Sequence, residues 1–202
     1  MKFPPHLLVY ISAHGFGHVA QTAPVLNALS ERLPDLRLTL HTAAPLSLLE
    51  ARISPEFQLS PEAADFGMEM ASAMDVLVES SMQTYSAFHQ DWNPRVEQEA
   101  QTIARLAPDF VLSNIAYLPL AAAKQAGIPC AAMCSLNWAD IFNHYCGPLP
   151  GAAQIHGQML QAYTSADAFL RLTPGMPMES LPNLRLIGPV ARIGRNRRSG
   201  SG

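Results

Sequence analysis

Short apolar segments alternate along the chain with longer segments in which apolar residues recur at helical spacing. Seven short segments are predicted strands, and most are nearly continuously apolar, as strands covered on both faces of a sheet are. The predicted strands are residues 6–12, 37–43, 57–61, 110–115, 130–136, 168–173 and 184–190. The predicted helices are residues 19–33, 46–52, 75–106 with a bend before Pro94, 118–126, 137–145 and 152–166. This order predicts an α/β domain with a Rossmann-like, mostly parallel sheet and helices on both faces.

The composition fits one globular domain, which we place at residues 1–190. The 202-residue chain is 49% hydrophobic and 14% charged, so it can bury a core without disulfides. Its three cysteines, Cys130, Cys134 and Cys146, lie in apolar surroundings, and an odd number argues against a secreted disulfide framework. No histidine pair at ligand spacing accompanies them, so we expect no metal site. No apolar run approaches the roughly 20 residues that span a bilayer, and we expect a cytoplasmic protein without a membrane span.

Basic residues are concentrated at the end of the chain. Four of the thirteen, Arg192, Arg195, Arg197 and Arg198, lie in the last eleven positions, which hold none of the sixteen acids. The rest of the chain is therefore acidic enough to repel a nucleic-acid backbone, and we expect no nucleic-acid partner. Residues 191–202 are interpreted as a basic linker that ends in a flexible Ser/Gly tail or a cloning remnant.

A glycine-rich turn follows the first predicted strand. The residues from His14 to His18 read His-Gly-Phe-Gly-His, and ligands of open α/β sheets bind at the carboxyl ends of the strands. Gly15 and Gly17 permit positive φ angles and close approach of the backbone, while free N–H groups at the helix start can bind an anion or a sugar hydroxyl. Phe16 stands between the two glycines. We interpret His18 as functional, and for His14 a functional role and a structural one are both open.

The segment GFGHVA at residues 15–20 also fits the G-x-G-x-x-A pattern of dinucleotide-binding folds. Those folds place an acid at the end of the second strand, where it binds the ribose hydroxyls. Here that strand is followed by Ala44 and Pro45, with no acid. No Gly-Lys-Ser or Gly-Lys-Thr of a Walker A loop occurs in the sequence. We therefore expect no cofactor.

Polar residues also follow the fourth and fifth predicted strands. Asn114 lies at the end of the fourth strand, and Ser135, Asn137 and Trp138 follow the fifth. Either Ser135 or Asn137 fits a helix N-cap, and the indole of Trp138 fits either the core or a stack on a sugar face. Because carboxyl ends of parallel strands share one edge, we expect His18, Asn114 and Ser135 to open at the same edge of the sheet.

The connection at residues 61–75 carries acids beside flexible methionines. Asp65 and Glu69 stand next to Met68, Met70 and Met74. This composition suits an adaptable loop over a site or a loosely packed subdomain.

The chain resembles the N-terminal, acceptor-side domain of GT-B glycosyltransferases, and more closely the glycosyltransferase-like domain of L-arabinokinases and related bacterial proteins. The opening of that domain resembles VYISAHGFGHVAQTAPVLNAL, and its second block resembles PDFVLSNIAYLPLAAAKQAGIPCAAMCSLNWADIF. The segment at which such proteins cross to their second domain resembles LIGPVARIGR. The resemblance covers most of residues 6–195 and implies one half of a GT-B fold.

The resemblance implies a general base. In active members the histidine at the position of His18 approaches the acceptor hydroxyl, and a neutral imidazole can take a proton at cytoplasmic pH. Many active members orient it with an aspartate where this chain has Asn114, and the family tends to carry an arginine where this chain has Gln21. An amide can hold a ring tautomer but cannot balance an imidazolium by charge, so base catalysis is weakened or another acid supplies the charge. The implied sugar-binding residues are His14, Gly15, Phe16, Gly17, Asn114, Ser135, Asn137 and Trp138.

The resemblance also implies a second domain. GT-B enzymes bind the nucleotide-sugar donor mainly in a second α/β domain, of ordinary domain size, and this chain ends where it would begin. We therefore expect a fragment of a glycosyltransferase that binds a small-molecule sugar acceptor, meets its donor through the missing C-terminal domain, and transfers no sugar alone. Half of a nucleotide-sugar hydrolase or 2-epimerase is an alternative, because those enzymes share the fold and a Gly-His turn. A non-catalytic sugar-binding or regulatory module is another, which Asn114 and Gln21 favour.

A half-enzyme exposes the surface that its partner domain covers. We therefore expect an exposed apolar patch around Phe16, Met68, Met70 and Trp138. Such a patch should make the fragment self-associate weakly.

Overall fold

A computed structural model of the protein describes residues 4–72 and 74–191. Within these residues the strands are β1 (His6–Ile11), β2 (Arg37–His41), β3 (Gln58–Ser60), β4 (Phe110–Asn114), β5 (Cys130–Cys134), β6 (Ala168–Leu172) and β7 (Leu184–Ile187). The helices are α1 (Phe16–Arg32), α2 (Leu46–Arg52), α3 (Val78–Gln90), α4 (Trp92–Leu106), α5 (Leu118–Gln125), α6 (Trp138–Cys146) and α7 (Ala152–Ser165). All seven predicted strands are present, each slightly shorter than predicted.

The strands form one parallel sheet in the order β3-β2-β1-β4-β5-β6-β7. After β1 the chain builds outward through β2 to β3, then returns to the other side of β1 to form β4 and the remaining strands. The connections that leave β1 and β4 therefore diverge at their carboxyl ends. In open α/β sheets such a reversal of strand order opens a crevice at that edge, which is where ligands bind.

The core lies in two layers, one on each face of the sheet. Along β1 the side chains alternate, so that Leu8 and Tyr10 pack into one layer while Leu7, Val9 and Ile11 pack into the other. The first layer is closed by α3, α4, α5, α6 and α7, and the second by α1 and α2. Because β1 is covered on both faces, all six of its residues are buried. The prediction of a Rossmann-like sheet with helices on both faces is confirmed.

The helix predicted at residues 75–106 is two helices. The first, α3, ends at Gln90, and Asp91 separates it from α4. Pro94 lies in the first turn of α4, where its missing N–H removes no helical hydrogen bond. Residues 75–77 are outside α3, because Val76 instead forms an isolated antiparallel bridge with Met70.

Cys130, Cys134 and Cys146 are buried free thiols, in agreement with the absence of a disulfide framework. No helix of residues 4–72 and 74–191 is both long and apolar enough to cross a membrane. The predicted basic linker and Ser/Gly tail lie outside the described residues, apart from Ala191.

Candidate functional site

The turn between β1 and α1 presents a helix N-terminus at the carboxyl edge of the sheet. Gly15 has φ 98° and ψ 160°, a conformation that residues other than glycine rarely adopt. Helix α1 starts directly after it, at Phe16. No side chain caps this helix, and its first turn contains no acid. The first-turn N–H groups are therefore donors for an anion or a hydroxyl oxygen.

The start of α1 differs from the prediction. The helix begins three residues before the predicted Val19, so Phe16, Gly17 and His18 form its first turn. Gly17 is helical, so of the two glycines that permit a positive φ angle Gly15 alone adopts one. A Cβ atom added to Gly17 would meet no atom within 4 Å, so the space beside it is open.

His18 is held by Asn114, which lies at the end of the neighbouring strand. Strand β4 pairs with β1 so that Asn114 stands opposite Ile11, and the Asn114 carbonyl accepts from the Ser12 N–H at 2.7 Å. This pairing brings the amide next to the first turn of α1. The Oδ1 atom of Asn114 lies 2.9 Å from Nδ1 of His18, and both side chains are buried.

The other hydrogen bonds of Asn114 define the state of the ring. Its Nδ2 donates to Thr22 Oγ1 at 3.0 Å, and the Thr22 hydroxyl donates to the main-chain oxygen of His18 at 2.8 Å. With Nδ2 used as a donor, Oδ1 is the acceptor and His18 Nδ1 carries the proton. The neutral ring then keeps its lone pair on Nε2. Thr22 was not predicted, although a spacing of four residues places it on the same helix face as His18.

Gln21 connects the same group to β5. Its Nε2 donates to Ser135 Oγ at 2.9 Å, and its Oε1 accepts from the Cys134 thiol at 3.3 Å and from Asn114 Nδ2 at 3.4 Å. Burial raises the pKa of Cys134 to about 11, so this thiol is a neutral donor. The expectation that His18, Asn114 and Ser135 open at one edge of the sheet is confirmed.

Asn137 is the N-cap of α6. Its Oδ1 accepts from the Asp140 N–H at 2.7 Å, and its Nδ2 donates to Asp140 Oδ2 at 2.8 Å. Of the two residues that fitted an N-cap, Asn137 takes this role and Ser135 contacts Gln21 instead. Contact of Asn137 with a sugar stays a prediction, and both of its polar side-chain atoms already have partners.

Trp138 is a core residue that packs against the site. It is 3% exposed, and its Nε1 donates to Asp65 Oδ2 at 2.9 Å. Its ring and that of His14 form a T-shaped pair, with ring centroids 5.2 Å apart and an interplanar angle of 85°. Of the two interpretations of this indole, the core one is observed, and stacking on a sugar stays a prediction.

The exposed apolar patch is smaller than expected. Phe16 is 71% exposed and Met70 is 39% exposed, but Met68 and Trp138 are buried. The expectation is therefore wrong for Met68 and Trp138, because both pack into the core layer that α3–α7 close.

Asp65, in the connection between β3 and α3, is the acid which the sequence placed near the site without assigning it a role. Burial raises the pKa of its carboxyl group, and the Trp138 N–H, the Ser12 hydroxyl and the charges of His18 and His14 oppose this rise. Within the described part of the chain no group of three or more His, Cys, Asp or Glu side chains could hold a metal ion. The site is therefore a polar edge built from imidazole, amide, hydroxyl and one buried carboxyl group.

No protein-family model matches the chain. The glycotransferase of kitacinnamycin superposes with a TM-score of 0.57 at 16% identity, over 100% of this chain and 55% of that one. A UDP-glucosyltransferase from Polygonum tinctorium superposes with a TM-score of 0.56 at 13% identity, also over 100% of this chain and 55% of that one. The chain has the Rossmann-like α/β fold of one half of a GT-B glycosyltransferase.

A sequence relative points the same way. L-arabinokinase of Arabidopsis thaliana is 26% identical over 191 residues, which are 91% of this chain and 18% of that protein. The chain thus spans about half of each solved glycosyltransferase and less than a fifth of the L-arabinokinase.

Proposed function

We propose that the chain is the acceptor-side half of a GT-B glycosyltransferase and that His18 is its general base. The observation that carries this proposal is the hydrogen bond of 2.9 Å between His18 Nδ1 and Asn114 Oδ1. It fixes the ring in the tautomer whose Nε2 can accept a proton, at the edge of the sheet where α/β folds bind ligands.

The proposed reaction begins with an acceptor hydroxyl placed against Nε2 of His18. As the hydroxyl oxygen forms its bond to the anomeric carbon of the donor sugar, its proton moves to Nε2. The bond between that carbon and the leaving diphosphate breaks, and the diphosphate departs with the electron pair. The N–H groups at the start of α1, beside Gly15 and Gly17, would bind neighbouring sugar hydroxyls or the anionic leaving group.

The nucleotide-sugar donor would be held mainly by a second domain outside this chain. The groups that stabilise a leaving diphosphate contribute a large part of the rate in such transfers. The isolated chain is therefore expected to bind an acceptor sugar without transferring to it. Its three buried free thiols are compatible with a cytoplasmic location, which stays a prediction.

Two features favour a non-catalytic sugar-binding module as the second candidate. Asn114 places no negative charge beside His18, and the side chain of Gln21 is already hydrogen-bonded to Ser135 and Cys134. Under this alternative the same edge recognises a sugar without moving a proton. The hydrolase or epimerase alternative requires turnover of a nucleotide sugar.

Ligand-observed NMR on the whole chain separates these functions. Saturation transfer is measured with L-arabinose, D-galactose and D-glucose as probes, for the wild type, His18→Gln and the control His144→Gln, a change at an exposed position on α6. We expect transfer to at least one sugar that is lost in His18→Gln and kept in the control. No transfer to any probe would contradict acceptor binding, and full transfer in His18→Gln would favour a site that does not use His18.

A second measurement addresses turnover. Release of UDP from UDP-glucose by the chain alone should not exceed that of His18→Gln. Release that depends on His18 would contradict the proposal and put the hydrolase alternative first.

A further inference from the structure

Asp65 is a half-buried residue whose carboxyl group is buried and faces the two histidines of the site. It lies in the connection between β3 and α3, and its Oδ2 accepts from Nε1 of Trp138 at 2.9 Å. Its Oδ1 is buried and accepts no hydrogen bond of good geometry among the described residues, although the Ser12 hydroxyl faces the carboxyl group. A buried carboxylate oxygen without a well-placed donor is costly, so its presence calls for a physical reason.

The indole of Trp138 donates a hydrogen bond to Asp65 and lies near both imidazoles. The ring centroid of Trp138 is 5.2 Å from that of His14 and 6.3 Å from that of His18. The backbone near Asp65 also packs closely against His14, because a Cβ atom added to Gly67 would lie 2.6 Å from Nδ1 of His14. These side chains form one packed group, which we call the Asp65 cluster: Asp65, Trp138, His14 and His18.

Among the basic side chains of the described residues, those that face Asp65 are His14 and His18, and each carries a positive charge only when its ring is protonated. None of the lysines and arginines of residues 4–72 and 74–191 forms an ion pair with this carboxyl group. The other titratable groups that face it stay neutral, because burial raises the pKa of each: these are Tyr85 of α3, Tyr117, Cys134 of β5 and Tyr163 of α7. Ser12 faces it with a neutral hydroxyl.

A structural role alone does not require a carboxyl group at this position. An asparagine amide oxygen could accept the Trp138 N–H equally well and would avoid the burial of a charge. What the amide could not do is supply negative charge. Asn114, which holds the ring of His18, supplies none either.

We propose that Asp65 is a positioning residue of this site, whose carboxylate provides the negative charge that Asn114 lacks when His18 takes up a proton. The inference rests on the proposed function of His18. The proton itself moves from the acceptor hydroxyl to Nε2 and stays on the imidazole. Asp65 remains ionised, acts on the imidazole through space, is held in place by the Trp138 indole, and touches no substrate.

The coupling between Asp65 and the histidines is measurable without any substrate. Burial raises the pKa of Asp65, and positive charge on His18 or His14 opposes this rise; by linkage an ionised Asp65 favours the protonated rings. Histidine ring nitrogens are followed by NMR as the pH is varied, in the wild type, Asp65→Asn and Glu69→Gln. Glu69 is the matched control, an exposed acid of the same connection that accepts from Thr84 Oγ1 at 3.0 Å.

We expect Asp65→Asn to lower the pH midpoint of His18 protonation by about half a unit or more. Glu69→Gln should leave the midpoint unchanged, and Asp65→Glu, which keeps the charge, should restore most of the wild-type value. The indole N–H resonance of Trp138 reports whether the packing survives. An unchanged His18 midpoint in Asp65→Asn with that resonance in place would overturn the proposal.

If Asp65→Asn does not fold, the comparison of the wild type with Asp65→Glu tests whether the charge at this position acts on His18. A longer carboxylate side chain that leaves His18 protonation and the Trp138 resonance near wild type supports a role of charge. A displaced Trp138 resonance with an unchanged His18 midpoint would overturn it. Failure of the proposed function is distinguishable, because it appears as an absence of sugar binding while the coupling of Asp65 to His18 persists.

Discussion

His18 and Asn114 lie 96 residues apart in the chain, yet Nδ1 of the ring and Oδ1 of the amide form a hydrogen bond of 2.9 Å. The parallel pairing of β1 with β4 produces this contact, because it places the end of β4 beside the start of α1. Strand order therefore determines the chemistry of the site. The contact also links the position of the ring to the stability of the central strands.

Asn114→Ala should destabilise the protein by about 2–3 kcal/mol, since it removes buried partners of both His18 and Thr22. The free energy of unfolding in urea measures this cost. Asn27→Ala is the control, because the amide of Asn27 makes two hydrogen bonds at the surface, to Arg52 and Ser54, and should cost about 1 kcal/mol or less. Equal costs for the two variants would show that the buried amide is not a structural centre of the site.

Gly67→Ala should be destabilising by about 1–3 kcal/mol and should displace His14. Gly67 has φ 65°, and an added Cβ atom would lie 2.6 Å from the His14 ring. Gly157→Ala, in an exposed position of α7 with no atom within 4 Å of the added Cβ, should instead stabilise by about 0.5–1 kcal/mol. Thermal unfolding of both variants checks this contrast, and a neutral Gly67→Ala would refute the close approach.

Asp65→Asn should stabilise the protein more at pH 7 than at pH 4. Burial raises the folded-state pKa of Asp65 above its value in the unfolded chain, so folding opposes ionisation. The wild type therefore loses stability as the pH rises from the unfolded pKa through the folded pKa, and the amide variant does not. Unfolding midpoints measured across this range test the sign. An advantage of the variant that grows as the pH falls would contradict it.

Phe16→Ser should weaken self-association without a change in stability. Phe16 is 71% exposed at the start of α1, next to the surface where a second domain is proposed. Sedimentation velocity at several concentrations measures the effect. Leu33→Ser, a change at an exposed position just beyond the opposite end of α1, serves as the control and should leave association unaltered. A wild type that stays strictly monomeric at all concentrations would contradict this prediction.

The fold was predictable because its signals are local. Each strand is a short apolar run, and the layered packing of β1 follows from side-chain alternation. The neighbourhood of His18, Asn114 and Ser135 was predictable too, since all three stand at carboxyl ends of parallel strands or directly beyond them. No contact had to be known in advance for either inference.

The predictions that were wrong concern features that depend on contacts between distant segments of the chain. Trp138 is buried and hydrogen-bonds to a connection 73 residues earlier, whose Asp65 accepts its indole N–H. The sequence indicated an adaptable acidic loop there but contained no signal for where it packs. The early start of α1 escaped prediction for a different reason, since Gly17 is a weak helix former that the helix nevertheless includes.

We propose that Asn114 holds His18 as a neutral base with its lone pair on Nε2. The most direct test is a long-range 1H–15N correlation spectrum of the histidine rings of the whole chain, recorded above the pH at which His18 protonates. We expect Nδ1 of His18 to bear the proton and Nε2 to show the shift of an unprotonated nitrogen. A spectrum in which Nε2 bears the proton and Nδ1 does not would refute the assignment of the ring by Asn114.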